Sequence, residues 1–332
     1  MIKGLFIMDE NFIDLVYPST VKKEIEKLAN IYSVPLSSKD IIEDKSILQE
    51  AEVIFTGWGG PKLDKEFLEA APNLKAIFYA AGSIKPIATE AFWDRNIVLT
   101  NAVSANAIPV AEYTLSQILF SLKRGWQFAL DVKKHRKYPE KPFYHIPGSF
   151  GSTVGLISLS TVGRKVNEYL RHFDINVLAY DPFVDKKEAA KLNVELCSLD
   201  DIFERADIVS LHAPLLDETT RLIRKKHFEL MKPYASFINT SRGAIVKETE
   251  MLDVLKQRGD ITAILDVTDP EPPSVDSLLY SLPNVVLTPH IAGSEGQECG
   301  RMGAYMLDEF KRYLSGEQLI WQVSKKEFDV MA

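Results

Sequence analysis

The stretch TVGLISLSTVGRKVNEYL, residues 153–170, decides how this chain folds. An apolar run through Val154, Leu156 and Ile157 enters a turn of small residues and continues as an amphipathic helical pattern. A strand feeding a helix through such a turn is an anion-binding device, because the first N–H groups of a helix lack intrahelical acceptors and its dipole favours negative charge. A dinucleotide turn of this kind reads Gly-x-Gly-x-x-Gly, and here the three positions hold Ser158, Ser160 and Gly163. Only the third glycine, the one that lets helix and strand pack closely, is present. Serine can donate a hydroxyl to phosphate but adds a Cβ and resists positive φ. Either the turn tolerates non-glycine residues or the phosphate sits farther out. Ser160 and Gly163 bracket the N–H donors expected from Thr161 and Val162.

The next strand pattern, NVLAYDPF, ends at Asp181. A carboxylate there accepts from both hydroxyls of an adenosine ribose and repels a 2′-phosphate, favouring NAD over NADP. The plainer reading of the same residue is a strand-end turn made by Asp181 and Pro182.

Outward from this unit the chain alternates strand and helix. TVGLISL, NVLAYD, DIVSLHA, ASFINT, AILDV and VVLTPH are six strand candidates separated by helical segments, as a doubly wound sheet requires. Before them, LFIM, VIFTG, LKAIFYAA and IVLTNA alternate with TVKKEIEKLAN (20–30), KEFLEAA and ATEAFWD, predicting a second parallel sheet covered on both faces. A long helix is expected over 106–126, where Ala111, Leu115, Ile118, Leu119 and Leu122 form a buried stripe. A loop-rich stretch follows at 137–152, and a last helix is expected over about 293–315. The expected fold is α/β with two doubly wound, Rossmann-like or flavodoxin-like domains. A nucleotide-binding domain over 104–293 would be inserted into a split substrate domain formed by 1–103 and 294–332.

Composition narrows the function. The 332 residues carry a formal net charge of −7, and the pI near 5.5 opposes general binding to nucleic acid or anionic membrane. The basic run KKHRK at 133–137 reads as a solvated face. No segment reaches the roughly 20 apolar residues of a membrane span, and the apolar run near the N-terminus is too short for a signal peptide. The two cysteines, Cys197 and Cys299, have no metal-type spacing and imply a reduced, cytoplasmic protein. No metal site is expected.

Three polar segments fall at the ends of later strands, where open α/β sheets place their sites. INTSRGAIV presents Arg242, DVTDPEPP presents Asp266 and Glu271, and VVLTPHIAGS presents His290. Singly, these read as a surface cation, loop charges and a capping or core histidine. Together they supply what reduction of a 2-oxo acid needs. A guanidinium holds the carboxylate through paired hydrogen bonds, and an imidazolium gives a proton to the developing alkoxide while hydride arrives from a nicotinamide. A carboxylate on the other ring nitrogen favours the charged imidazole.

On these motifs the chain resembles the D-isomer-specific 2-hydroxyacid dehydrogenases over nearly its whole length. The resemblance implies that Arg242 in NTSRG binds substrate, Glu271 in DPEPP is the partner carboxylate and His290 in TPHIAG is the acid/base. It places Asp266 beside the nicotinamide carboxamide, His212, Ala213, Pro214 and Thr219 along the cofactor, Thr240 and Ser241 at the nicotinamide ribose, and Gly293 on the cofactor side. In the first half, FYAAGSIKPI takes the place of a loop whose N–H groups hold the substrate carboxylate, nominating Ala81, Gly82 and Ser83. Trp58 in TGWGG either closes on the substrate side chain or is loop packing. The segment after residue 316 leaves no room for an added regulatory domain, so the long, effector-regulated phosphoglycerate dehydrogenases are not expected. The resemblance implies a homodimer and NADH-dependent reduction of a small 2-oxo acid, of the glyoxylate or hydroxypyruvate type. The alternative is a nicotinamide-sensing, corepressor-like binding protein on the same fold.

Overall fold

The structure, a computed structural model, describes residues 1–139 and 145–330. Residues 140–144 of the expected loop lie outside the described residues. The chain folds as two compact units, Met1–Asn106 with Ser294–Ala332, and Ala107–Gly293.

The first unit is built on strands β1 (Ile2–Ile7), β2 (Ala29–Ile31), β3 (Val53–Thr56), β4 (Ala76–Tyr79) and β5 (Val98–Asn101), in the order β2-β1-β3-β4-β5 and parallel throughout. Side chains alternate across a strand, and this sequence uses both faces. Leu5, Ile7, Ile54, Ile77 and Leu99 enter one apolar cluster, whereas Phe6, Met8, Val53, Phe55 and Phe78 enter the other. On the second face Phe55 stacks on Phe78 at 5.3 Å, and Phe310 of the helix Cys299–Ser315 meets Phe55 edge-on at 5.0 Å. Continuous apolar runs are what two covered faces demand.

The second unit carries β6 (Thr153–Ile157), β7 (Asn176–Tyr180), β8 (Glu195–Leu196), β9 (Ile208–Leu211), β10 (Ser236–Asn239), β11 (Thr262–Leu265) and β12 (Val285–Leu287) in the order β12-β11-β10-β9-β6-β7-β8. All pairs are parallel. Strand order reverses between β6 and β9, and such a switch point is where open α/β sheets bind ligands. Gly155 on β6 admits the helix Leu199–Arg205, since a Cβ there would lie 2.7 Å from Ile202.

Four expectations need correction. Ala29 and Asn30 belong to the edge strand β2 and not to the preceding helix, which ends at Leu28. The two-residue strand β8 was not expected. The long helix is two, Val103–Leu122 and Gly125–His135, because Arg124 adopts φ 51 and breaks the hydrogen-bonded ladder. Gly125 gives the Phe120 ring room to pack there, as a Cβ would fall 2.4 Å from the ring in its present position. The last helix begins at Cys299. Among the described residues no helix is long and apolar enough to cross a membrane.

Candidate active site

The ends of β10, β11 and β12 bring the chemical residues together. His290 follows β12 with φ 55, its amide donating to the carbonyls of Asp266 and Thr288. Its Nδ1 lies 2.6 Å from Glu271 Oε1. With a carboxylate as acceptor the proton sits on Nδ1, which leaves Nε2 for a substrate. Both side chains are about half exposed, at 47% and 43%. Exposed pairs contribute about 0–1 kcal/mol to stability, so the value of this contact lies in fixing the ring's tautomer and orientation.

A cavity of about 470 Å³ adjoins the pair, bounded by Thr268, Glu271, Pro273, Tyr280, Thr288 and His290. Beneath it, Asp266 is 2% exposed. Its Oδ1 accepts from the Thr288 hydroxyl at 2.6 Å and the Ile291 amide at 2.9 Å, and its Oδ2 from the Ala292 amide at 2.9 Å. The Thr288 hydroxyl also lies 2.8 Å from that of Tyr113. Thus Asp266, expected at the carboxamide of a nicotinamide, is the peg on which the His290 loop hangs. Tyr113 and Thr288 were not found in the sequence. Thr288 stands two residues before His290, but Tyr113 is far away in the chain and carries no local signal.

Arg242 follows β10 in extended conformation, its Nη1 donating to the Ser241 carbonyl at 2.7 Å. Burial lowers the guanidinium pKa, and the charge of Glu271 opposes that shift. Neighbouring Gly243 cannot be replaced without movement, because a Cβ would meet Thr268 at 2.0 Å.

At the switch point, Ser158 adopts φ 77. The first glycine position of the turn thus keeps its left-handed backbone, and serine carries it. Ser160 caps the helix Thr161–Leu170, accepting from the Gly163 amide at 3.4 Å and donating to the His212 carbonyl at 2.8 Å. Its hydroxyl thereby accepts and donates within the chain. Thr161 and Val162 open the helix, where N–H groups lack intrahelical acceptors. A Cβ on Gly163 would fall 2.2 Å from the Ser158 carbonyl oxygen. Close packing, helix N–H donors and the half-buried Asp181 carboxylate on the next strand end fit a dinucleotide.

Along the neighbouring loop, the His212 ring is buried, 2.9 Å from the Ser210 hydroxyl, and burial pushes its pKa down to about 3. The imidazole is therefore a neutral core side chain. Ser241 donates to the Ala213 carbonyl at 2.5 Å, Thr219 to the Pro214 carbonyl at 2.6 Å, and Thr240 lies 3.0 Å from the Thr114 hydroxyl. Gly293 is half-buried at the end of the His290 loop.

In the first unit, Trp58 is half-buried and meets Phe12 edge-on at 5.4 Å. The Ala81 amide donates to the Tyr79 carbonyl at 2.9 Å. Gly82 is half-buried, and Ser83 Oγ accepts from the Lys85 amide at 3.3 Å.

The fold and this grouping define a doubly wound α/β protein with a histidine–carboxylate pair and an arginine at its strand ends. Residues 115–292 match the family model described as the D-isomer specific 2-hydroxyacid dehydrogenase, NAD binding domain, and the chain belongs to that family. It is 36% identical over 255 residues to a D-3-phosphoglycerate dehydrogenase of Archaeoglobus fulgidus, covering 77% of this chain and 48% of that one. It is 32% identical over 254 residues to an (S)-sulfolactate dehydrogenase of Chromohalobacter salexigens, covering 76% and 82%. The chain spans about half the length of the phosphoglycerate dehydrogenases it matches. Among solved structures, the NAD-complexed D-isomer specific 2-hydroxyacid dehydrogenase of Lactobacillus delbrueckii ssp. bulgaricus shares the fold with a TM-score of 0.78, at 21% identity over 97% of this chain and 100% of that one.

Proposed function

We propose that this protein is a cytoplasmic, homodimeric dehydrogenase that reduces a small 2-oxo acid reversibly to the D-2-hydroxy acid, preferring NADH to NADPH. The observation that carries the reading is the 2.6 Å contact between His290 Nδ1 and Glu271 Oε1, with Arg242 just beyond the end of β10. Bound NADH supplies the hydride. His290, oriented by Glu271, gives its Nε2 proton to the alkoxide that forms. Arg242 pairs with the substrate carboxylate, and its partial burial strengthens that hydrogen bonding by excluding water. The turn at 158–163 holds the pyrophosphate and Asp181 takes the adenosine ribose.

Glyoxylate or hydroxypyruvate is the proposed type of substrate, and the names of the two relatives add 3-phosphohydroxypyruvate and sulfopyruvate to the panel to be tried. The experiment is NADH oxidation by the purified chain with each acid, alongside fluorescence titration of NADH. Turnover of glyoxylate or hydroxypyruvate supports the full reading, and turnover of only a phosphorylated or sulfonated acid would keep the reaction but replace the substrate. Tight NADH binding with no turnover would point instead to a nicotinamide-responsive binding protein.

A further inference from the structure

We infer that Ser158 is a positioning residue for Asp181 and so for the choice between NADH and NADPH. The inference rests on the ribose role given to Asp181 above. At φ 77, Ser158 occupies backbone space that favours glycine, so the side chain there carries a conformational cost. What offsets it is visible. The Ser158 hydroxyl donates to Asp181 Oδ2 at 3.2 Å, a hydrogen bond to a charged acceptor and stronger than a neutral one. The Leu159 amide donates to the same oxygen at 2.7 Å, and the Phe183 amide donates to Oδ1 at 2.9 Å. The Ser158 amide in turn donates to the Tyr180 carbonyl at 2.7 Å, tying the turn to the end of the strand that bears Asp181.

Three donors on two oxygens hold the carboxylate in one orientation. An ionised carboxylate offers about four lone-pair sites, so one remains to accept a ribose hydroxyl without displacing these donors. A 2′-phosphate meets a negative charge that cannot swing aside. Glycine at position 158 would keep the turn but remove one of the three restraints, the only one supplied by a side chain.

The test is fluorescence titration of NADH and of NADPH with the wild-type protein and with Ser158→Gly, Ser158→Ala and Asp181→Ala. Ser158→Gly relieves the backbone, so loss of folding does not confuse the result. Both serine variants should lower the preference for NADH, as a ratio of dissociation constants, by about threefold to tenfold, and Asp181→Ala should lower it further. If Asp181→Ala reduces the ratio while both serine variants leave it unchanged, the role of Ser158 is overturned and the ribose reading stands. A change with glycine alone also overturns it, because the backbone and not the hydroxyl would be responsible. An unchanged ratio in Asp181→Ala overturns both.

Discussion

The Thr288 hydroxyl donates to Asp266 Oδ1 over 2.6 Å, a side-chain contact that ties the end of β12 to the end of β11 beneath the His290 loop. Two loop amides, those of Ile291 and Ala292, complete the coordination of the same carboxylate. His290 is thereby held at φ 55, which a non-glycine residue keeps only where its surroundings over-determine it. Tyr113, at 2.8 Å from Thr288, anchors this arrangement to the helix Val103–Leu122.

Thr288→Val keeps the shape and removes the donor. It should cost about 1–3 kcal/mol of stability by leaving a buried carboxylate lone pair unpaired, and should lower kcat about tenfold with little change in the dissociation constant of NADH. Tyr113→Phe should act in the same direction with smaller effect. Urea unfolding and steady-state kinetics check this together. A loss of stability with unchanged kcat would mean that the network supports the fold without positioning His290.

Replacement of His290 by glutamine should lower turnover by at least about a hundredfold, the usual scale of general acid–base catalysis, while NADH titrates as before. Glu271→Gln retains a hydrogen-bonding oxygen beside Nδ1 but loses the charge, so its loss should be smaller. Near-normal turnover of the His290 variant would remove it from the chemistry.

Much of this architecture was legible because it is periodic. Leu5 and Ile7 against Phe6 and Met8 announce a strand with two covered faces, and the strand-turn-helix at 153–170 sets the second sheet. Ala29–Ile31 was not legible, since KLAN continues a helical pattern and a three-residue edge strand exposes Asn30. Glu195–Leu196 is too short to show any period. The helix break at Arg124 had a signal in the following glycine, which leaves room for the Phe120 ring packed against it. Glu271 and His290 could be nominated from strand ends, and the structure does bring them together. What the sequence could not show is how side chains spend their hydrogen bonds: that Ser160 caps a helix, that the His212 ring is buried against Ser210, or that Asp266 holds a loop. The partners of Asp266 lie 22 to 26 residues away in the chain, and the Ser160 and His212 contacts, though local, leave no periodic signal.

Gly163→Ala tests the phosphate turn by geometry alone. The added Cβ would lie 2.2 Å from the Ser158 carbonyl oxygen, a backbone atom that cannot move without opening the turn. NADH affinity should fall by more than about tenfold, with a loss of stability of about 1–3 kcal/mol typical of overpacking. Unchanged titration curves would show that the turn does not hold the cofactor.

The buried imidazole of His212 predicts how stability depends on pH. Its folded pKa is pushed down to about 3 by burial, against an ordinary 6.5. Between these values the unfolded chain binds a proton that the folded chain does not, so acid favours unfolding. The contribution is fully present above pH 6.5 and is lost as pH falls toward 3, at up to about 1.4 kcal/mol per pH unit. From pH 7 to pH 5 this group alone should remove about 2 kcal/mol. His227, also lowered by burial, adds to the trend in the same direction. His212→Asn should be less stable at pH 7, through the lost contact with Ser210, but should lose less on acidification. Urea unfolding of both proteins at pH 7, 6 and 5 measures the difference, and parallel slopes would mean that His212 is protonated to the same extent in the folded and unfolded chains.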